Sequence, residues 1–586
     1  MKIKFQYIAI IAAFASASGA YAQKKDENIG TEVVNVVKPY TPTISDAFKV
    51  KETPVIEDED NTQKENIEYN IFSFPVASTF TPSKGRAAGV DKAKRETLYN
   101  NYAALGIGNY GTVNAELFVT ENLNRNEYVG GMFRHLSSQG GLDEVALDDK
   151  YYNTSIDLTY GNRQKAYSWN TDLGFQNQVY NWYGLPLEYQ IFDADVIRSI
   201  DPKQTYNTFY IGGKIAAEDS FFRDASAQYK RFWDAYGSAE NRFFIKPSLD
   251  VDVAEQRIKV DFVADYVGGT LADDTEFPSE YSNFNIGLQP SVVFQEDDFS
   301  VQLGAGLFYS MGKIGDETNN KFYVYPQIKA SYKVVGDLMV AYAGAEGALK
   351  QNSYADFVSQ NQFISPMQVV TPTNQQYDIY VGLKGKLADA VSYNIRGSYM
   401  NEDNKSLFVN FNPSSLPGPG ADLQGFQYGN SFSVIYDQVQ TVSFFGELKA
   451  DFSKSVSFGI NGTYNSYSMD NQAEAWNLPE LQVGATLDVD ITEKWYAGAN
   501  VFFVGDRKDL VLPNNTFVQL AGEYNTQVVT LKNYFDVNAH VGYKYSERLT
   551  GFLKLNNIAN QDYQRWVNYP VQGFQFLVGA SYKFNF

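Results

Sequence analysis

The sequence predicts an all-β protein: a transmembrane antiparallel β-barrel of about 22 strands with a short N-terminal extension. Three observations carry this. Apolar and polar residues alternate with period two from about residue 98 to the end, the pattern of strands with one face in an apolar environment. The connections between these segments are long and short by turns. The composition is rich in Tyr (43), Phe (42) and Gly (45) among 586 residues, with only 20% charged residues. Such a length usually means several soluble domains, but one large β structure accounts for all three features.

The alternation is plainest in the last strand. Phe574, Phe576, Val578, Ala580, Tyr582, Phe584 and Phe586 fall on one face, Gly573, Gln575, Gly579, Ser581, Lys583 and Asn585 on the other, and Leu577 is out of pattern. Val456, Phe458, Ile460 and Tyr464 oppose Ser457, Asn461, Thr463 and Asn465. Ile258, Val260, Phe262, Ala264 and Tyr266 oppose Arg257, Lys259, Asp261 and Asp265. A sandwich with a dry core and a membrane barrel share this pattern, and connection lengths separate them. Strands are expected near 98–107, 112–120, 126–135, 151–160, 167–177, 205–216, 225–234, 242–252, 257–266, 281–295 and 299–310. The second half gives 321–333, 337–347, 375–386, 390–399, 440–451, 455–467, 480–490, 494–504, 533–544, 549–557 and 573–584. Odd-numbered connections average about 18 residues and even-numbered ones about 4, as in outer-membrane barrels with short periplasmic turns and long external loops. Segment 225–233 is the least regular; without it and a partner strand the barrel would have 20 strands. Trp495 with Tyr496, and Tyr543 with Tyr545, sit near strand ends, where interfacial girdles belong.

The N-terminus fixes the compartment. Lys2 and Lys4, the apolar run Ile8 to Phe14, and Ala20-Tyr21-Ala22 before Gln23 read as a secretory signal peptide over 1–22. No cysteine follows it, so no lipoprotein anchor is expected, and no later stretch has the roughly 18 apolar residues of a membrane helix. Residues 23–97 include Lys38-Pro39-Tyr40-Thr41-Pro42 and the acidic run Glu57-Asp58-Glu59-Asp60 without sustained period. They read as a periplasmic or luminal extension, and 98–586 as the barrel.

Composition also limits the chemistry. With no Cys and two His, thiol chemistry, Cys-based zinc sites and iron–sulfur clusters are excluded, and His-based metal or triad chemistry is disfavoured. A net charge of -20 without a basic cluster argues against a nucleic-acid partner. No catalytic, cofactor or metal residues are assigned. His540 lies on a polar face with Asp536 and Asn538, and His135 lies near Ser137 and Ser138, without a triad around either. Acidic pairs at Asp143-Glu144, Asp148-Asp149 and Asp273-Asp274 lack the spacing of a calcium loop. Tyr180, Trp182, Tyr183 and Tyr189, after the fifth strand, read as interfacial anchors and loop packing, with stacking on sugars or peptides as the functional alternative.

The stretch Leu555-Asn556-Asn557-Ile558-Ala559-Asn560-Gln561-Asp562-Tyr563, then Tyr569-Pro570-Val571-Gln572-Gly573 and a last strand ending in Phe586, resembles the end of TonB-dependent outer-membrane receptors. Phe574 stands where an Arg commonly follows the glycine. The resemblance implies 22 strands, in agreement with the count above. It also implies a folded plug domain, for which residues 23–97 are too short and carry no recognisable pattern. A 22-strand barrel normally needs filling. The extension, inward-folded loops, or a surface or periplasmic protein must therefore obstruct the lumen. Segment 400–439, with Pro417-Gly418-Pro419-Gly420 at its centre, is the strongest candidate within the chain. Phe574, Phe576, Tyr582, Phe584 and Phe586 look like the signal read by the barrel assembly machinery. Glu32, Val33, Val34, Asn35, Val36 and Val37 weakly resemble the box by which such receptors engage TonB, and equally suit another periplasmic partner that binds by strand addition. Lys246, Asp250, Asp252, Lys259, Asp261 and Asp265 are expected to face the lumen, with Glu447, Lys449 and Asp451 beside Val456–Tyr464's strand doing the same. Two functions follow: a plugless transport-related barrel, or a structural or accessory barrel subunit of an outer-membrane complex.

Overall fold

The structure is a computed structural model that describes residues 98–586 apart from 189–191, 219, 254–255, 273–279, 411–422 and 512–525. The expected signal peptide, the extension with Glu32 to Val37, Tyr189, Asp273, Asp274 and the Pro417 to Gly420 motif lie outside the described residues.

Among the described residues, twenty-six strands form in chain order. The first ten are β1 (Asn101–Gly108), β2 (Val113–Asn122), β3 (Glu127–Ser138), β4 (Tyr151–Arg163), β5 (Tyr167–Asn181), β6 (Lys203–Ala217), β7 (Phe222–Trp233), β8 (Ala239–Val253), β9 (Gln256–Thr270) and β10 (Glu280–Gln295). Next come β11 (Phe299–Ile314), β12 (Glu317–Val335), β13 (Met339–Lys350), β14 (Thr373–Ala388), β15 (Val391–Val409), β16 (Ser433–Ser453), β17 (Val456–Met469) and β18 (Leu481–Asp490). The last are β19 (Trp495–Val504), β20 (Arg507–Val511), β21 (Gln527–Leu531), β22 (Tyr534–Lys544), β23 (Leu549–Asn556), β24 (Gln564–Trp566), β25 (Tyr569–Pro570) and β26 (Gln575–Phe584). Two short helices, α1 (Ala194–Ser199) and α2 (Tyr354–Gln360), lie in the connections 182–202 and 351–372.

Twenty-two of the strands make one sheet of antiparallel neighbours, and β1 pairs with both β2 and β26, which closes it into a barrel. β20–β21 and β24–β25 are small separate hairpins within long connections. The irregular segment 225–233 is a full member of the wall, β7, paired over its length with β6 and β8. Short connections such as 164–166, 389–390 and 454–455 gather at one end, and the long ones at the other.

The two faces follow the sequence period. Ile107, Val578 and Leu553 are neighbours in register on the outer face, where large apolar side chains remain exposed, among them Ile107 (63%), Phe322 (63%) and Val381 (64%). A belt of this kind belongs in lipid. Trp495 packs on Tyr543, ring centroids 4.7 Å apart, and Trp169 on Tyr160 at 5.4 Å, both outward and beside short connections, as a girdle requires. Phe576, Tyr582 and Phe584 also face outward, and Leu577 turns inward and is buried.

Many of the remaining aromatics are inside. Tyr128 lies over Gly161, Tyr210 over Gly174, Phe308 over Gly287, Tyr380 over Gly344, Tyr342 over Gly382 and Tyr496 over Gly542, each ring paired in register with the glycine of the next strand. A Cβ at any of these glycines would come within 2.5 Å of the ring. The Gly and Tyr excess is thus partly one device, a ring covering backbone that has no side chain of its own. A lipid-facing and girdle role covers only part of the aromatic content.

Placing a charge in the outer belt separates the two faces experimentally. Val578→Arg should lower barrel stability by about 2–4 kcal/mol, whereas Ser581→Lys, three residues along on the lumen face, should cost far less. Urea titration of the protein refolded in liposomes reads the difference.

Candidate functional site

The long connections do not stand away from the barrel. Trp182, Phe363, Ile364, Met367, Phe426, Phe432, Trp566 and Tyr569, all from connections, form one buried cluster with lumen-facing Tyr206, Phe232, Val267 and Tyr281 near the strand ends. Phe363 stacks on Tyr569 with centroids 3.6 Å apart, and Trp566 packs edge-on to Phe432 and Phe408. Trp182 contacts Tyr236 and Phe426, and Tyr183 contacts Phe363 and Tyr569. Trp182 and Tyr183 therefore serve loop packing. Burying each such side chain is worth about 1.5–3 kcal/mol, so the connections form a lid with its own apolar core.

Connection 351–372 is the centre of this lid, and buried polar groups of the wall hold it. Ser353 caps α2, its Oγ accepting from Asp356 N at 3.0 Å. Glu240, at the start of β8 and 1% exposed, accepts from the amides of Tyr354 (2.6 Å) and Ala355 (3.3 Å) and from the Tyr281 hydroxyl (2.6 Å). The carboxylate thus satisfies donors that the first turn of a helix leaves free. Asp234 Oδ2 accepts from the Tyr354 hydroxyl at 2.9 Å, and its Oδ1 from the amides of Tyr236 and Ser238. Burial pushes the Asp234 carboxyl up to about 6, against the pull of these hydrogen bonds. Arg242 binds Asp265 through two nitrogens, at 3.0 and 2.8 Å, and reaches Asp356 of α2 at 2.9 Å. Downstream, backbone carbonyls of the lid accept from Tyr206 (to Gln362), Ser238 (to Pro366), Asn283 (to Val370) and Tyr436 (to Val369).

A second contributor is 423–432. Asn430 donates to Trp182 O and Gly425 O, and the Tyr569 hydroxyl donates to Asn430 O. Phe432 exchanges backbone hydrogen bonds with Phe363 and Ser365. Segment 400–439 thus takes part, but residues up to Val409 and from Ser433 belong to β15 and β16. Among the described residues the larger share comes from 351–372.

The charges assigned to the lumen lie on β8 and β9. Asp252 pairs with Arg257 across the strands at 3.4 Å, Lys259 with Asp261 at 2.7 Å, and Asp261 also accepts from Ser248. Asp250 stands opposite Lys259 in register, and the Lys246 ammonium lies 5.1 Å from the Phe244 ring centroid. Asp265 is apart from these: it is buried and belongs to the lid anchor through Arg242. Glu447 and Lys449 pair at 3.1 Å, and Arg134–Asp157, Lys329–Glu346 and Arg396–Asp378 add further ion pairs to the wall. His540 lies over Gly498 on the inner face. The His135 ring nitrogens meet Thr154 Oγ1 and Ser137 Oγ at 2.8 and 3.1 Å, with no carboxylate among its described hydrogen bonds. Asp149 accepts from the amides of Gly141 and Leu142, and Asp148 pairs with Lys150. Among the described residues no group of three or more His, Asp or Glu could hold a metal ion.

Glu240, Asp234, Arg242, Asp356 and Tyr354 escaped the sequence reading. The available signal was the apolar content of a supposed loop: Tyr354, Phe357, Val358, Phe363, Ile364, Met367 and Val370 are too many for a solvated connection.

No family model matches the chain, and no curated protein matches it. Solved structures do. The ferripyoverdine receptor of the outer membrane of Pseudomonas aeruginosa, bound to ferripyoverdine, is similar over 84% of this chain and 72% of its own, at 12% identity and TM-score 0.60. The FrpB iron transporter from Neisseria meningitidis is similar over 83% of this chain and 82% of its own, at 11% identity and TM-score 0.61. The copper transporter OprC is similar over 84% of this chain and 82% of its own, at 12% identity and TM-score 0.60. The fold is that of TonB-dependent receptor barrels, as the C-terminal motif implied, and it is an outer-membrane architecture.

Removing the Glu240 carboxylate tests the anchor. Glu240→Ala should strip two helix amides and the Tyr281 hydroxyl of their acceptor, at about 1–3 kcal/mol for each buried donor left unpaired. Hydrogen exchange should then show protection lost over residues 353–360, with β17–β19 unchanged.

Proposed function

We propose that this chain is a transport-related outer-membrane barrel that its own long connections close at one end, where the receptors it resembles rely on a plug. The observation that carries this is the lid around 351–372, packed and hydrogen-bonded into the lumen-facing wall at residues from β6 to β10. The similarity to receptors and transporters of iron and copper supports the transport reading. In this proposal residues 23–97 form the periplasmic or luminal extension, and Glu32 to Val37 pair with TonB or another periplasmic partner by strand addition. The charges Lys246, Asp250, Asp252, Lys259 and Asp261 line the path beneath the lid. Phe574, Phe576, Tyr582, Phe584 and Phe586 guide assembly and then anchor the last strand in lipid.

One feature favours the second reading, an accessory barrel within an outer-membrane complex. The lid is fixed by buried carboxylates and a bidentate Arg242–Asp265 pair, more firmly than a freely moving gate needs. That reading requires stoichiometric partners on gentle detergent extraction, and transport does not.

Planar-bilayer conductance tests the closure. The full chain should conduct little, and replacing residues 352–371 by a short Gly-Ser linker should open a large, voltage-insensitive conductance. Deleting 23–97 from this opened variant shows what the extension adds. A full chain that conducts as freely as the variant would remove the lid from the account.

A further inference from the structure

The inner wall from β2 to β6 carries a polar array that neither the lid nor the charges of β8 and β9 account for. Glu116, Arg134, Ser155, Gln176 and Thr208 stand in register across the five strands, one side chain from each. Asn114 and Asn153 lie two residues along towards the long connections, and Asp157 and Tyr210 two residues along the other way. Together they line a cavity of about 440 Å³, a size common to small-molecule sites. Thr208 is opposite Phe232 of the lid core in register, so the array adjoins the lid.

Its charges are already matched. Asp157 accepts from Arg134 Nη2 at 2.8 Å through one oxygen and from the Tyr210 hydroxyl at 2.6 Å through the other. Glu116, directly opposite Arg134, accepts from the Tyr102 hydroxyl at 3.2 Å. No block of one sign is offered to an ion. What the cavity does offer is neutral hydrogen-bonding groups. Gln176 Nε2 donates to Asn153 Oδ1 at 3.0 Å, which leaves one amide oxygen and one amide nitrogen over. Turning both amides leaves the same balance, one acceptor and one donor. Ser155 is 8% exposed, and among the described residues its side chain, like those of Thr208 and Asn114, makes no hydrogen bond. The Arg134 side chain, 56% exposed, has further N–H donors beyond the one given to Asp157.

Hydroxyl and amide side chains both donate and accept, and here they are fixed on adjacent strands of a rigid wall. Their complement is a ligand whose own groups do both in many directions, which is the chemistry of sugar hydroxyls. An extended peptide fits less well. It is recognised through a free strand edge and apolar side-chain pockets, whereas the barrel sheet is closed here and Leu136 is the one large aliphatic side chain lining the cavity. We propose that the array binds an uncharged saccharide and, resting on the transport function proposed above, that saccharides are the solute class carried beneath the lid.

The test is saturation-transfer NMR on the full chain in nanodiscs, with maltotriose, cellotriose and chitotriose as probes and the blocked tripeptide acetyl-trialanine amide as the competitor class. The same titrations on the chain with 352–371 replaced by a linker give the probes a second way in. At least one trisaccharide should bind, and Ser155→Val and Gln176→Leu should each weaken it by about threefold to tenfold. Ser457→Val, on β17 across the barrel, should leave it unchanged. If Gln176→Leu does not fold, Thr208→Val takes its place. Binding of no trisaccharide to either form would overturn the site, as would binding untouched by these substitutions, or a tripeptide that binds at Ser155 and Gln176 where the sugars do not. Bilayer conductance of the linker variant reads the closure separately. A variant that conducts yet binds no saccharide overturns this site and leaves the closure standing, and saccharide binding without the conductance change does the reverse.

Discussion

A closed sheet of 22 strands encloses more space than the side chains of its own wall can fill, and the rest of this structure answers that constraint. The wall is self-sufficient only in its backbone, where every barrel strand has two antiparallel neighbours. The lumen end with long connections is another matter. Chain entering it must satisfy its backbone away from bulk water, which is why the wall around α2 carries Glu240, Asp234, Ser238, Asn283 and Arg242 in place of apolar residues. The apolar cluster and the buried polar anchors are one arrangement: the aromatics exclude water, and the carboxylates and amides make that exclusion affordable for the chain.

The barrel was legible in the sequence because its determinants are local. Period two, the alternation of connection lengths and the girdle residues placed all 22 wall strands, including the irregular β7, most of them within a few residues of their structural bounds; β15 runs ten residues beyond its expected end and β16 begins seven before its expected start. The inward turn of Leu577 was visible as a break in pattern. The lid was not legible, because its determinants join residues far apart in the chain. Glu240 meets Tyr354, Tyr206 meets Gln362, and Asn430 meets Trp182 and Tyr569. No spacing rule brings these together. Segment 400–439 drew attention through its length and Pro-Gly centre, yet much of it extends β15 and β16. The shorter 351–372 had the apolar content to enter the lumen. Likewise Asp265 read as a lumen charge like its neighbours, and only its contact with Arg242 separates it as an anchor.

The glycines and tyrosines carry the same lesson. Inside the barrel, Tyr128, Tyr210, Tyr342 and Tyr380 each cover a glycine on the next strand, and Tyr210 and Tyr380 also donate to the carboxylates of Asp157 and Glu346. The inner wall is therefore partly apolar and fixed in its charges, with acidic groups held by rings and cations. A path beneath the lid would be lined by paired charges, which suits passage of polar solutes better than tight capture of one ion.

The central claim is that the lid separates the lumen from the outside. The chain has no Cys, so a single Lys246→Cys substitution, on the exposed inner face of β8 below α2, reports access to the lumen. Intact cells are treated with a membrane-impermeant maleimide, and labelling of Cys at this position is timed against a cysteine placed at exposed Glu144 on the 139–150 connection. A closed lid gives rapid labelling at the outer position and little or none at the inner one, with the inner site labelled readily once 352–371 is replaced by a linker. Equal rates at both positions in the otherwise unaltered chain would contradict the account.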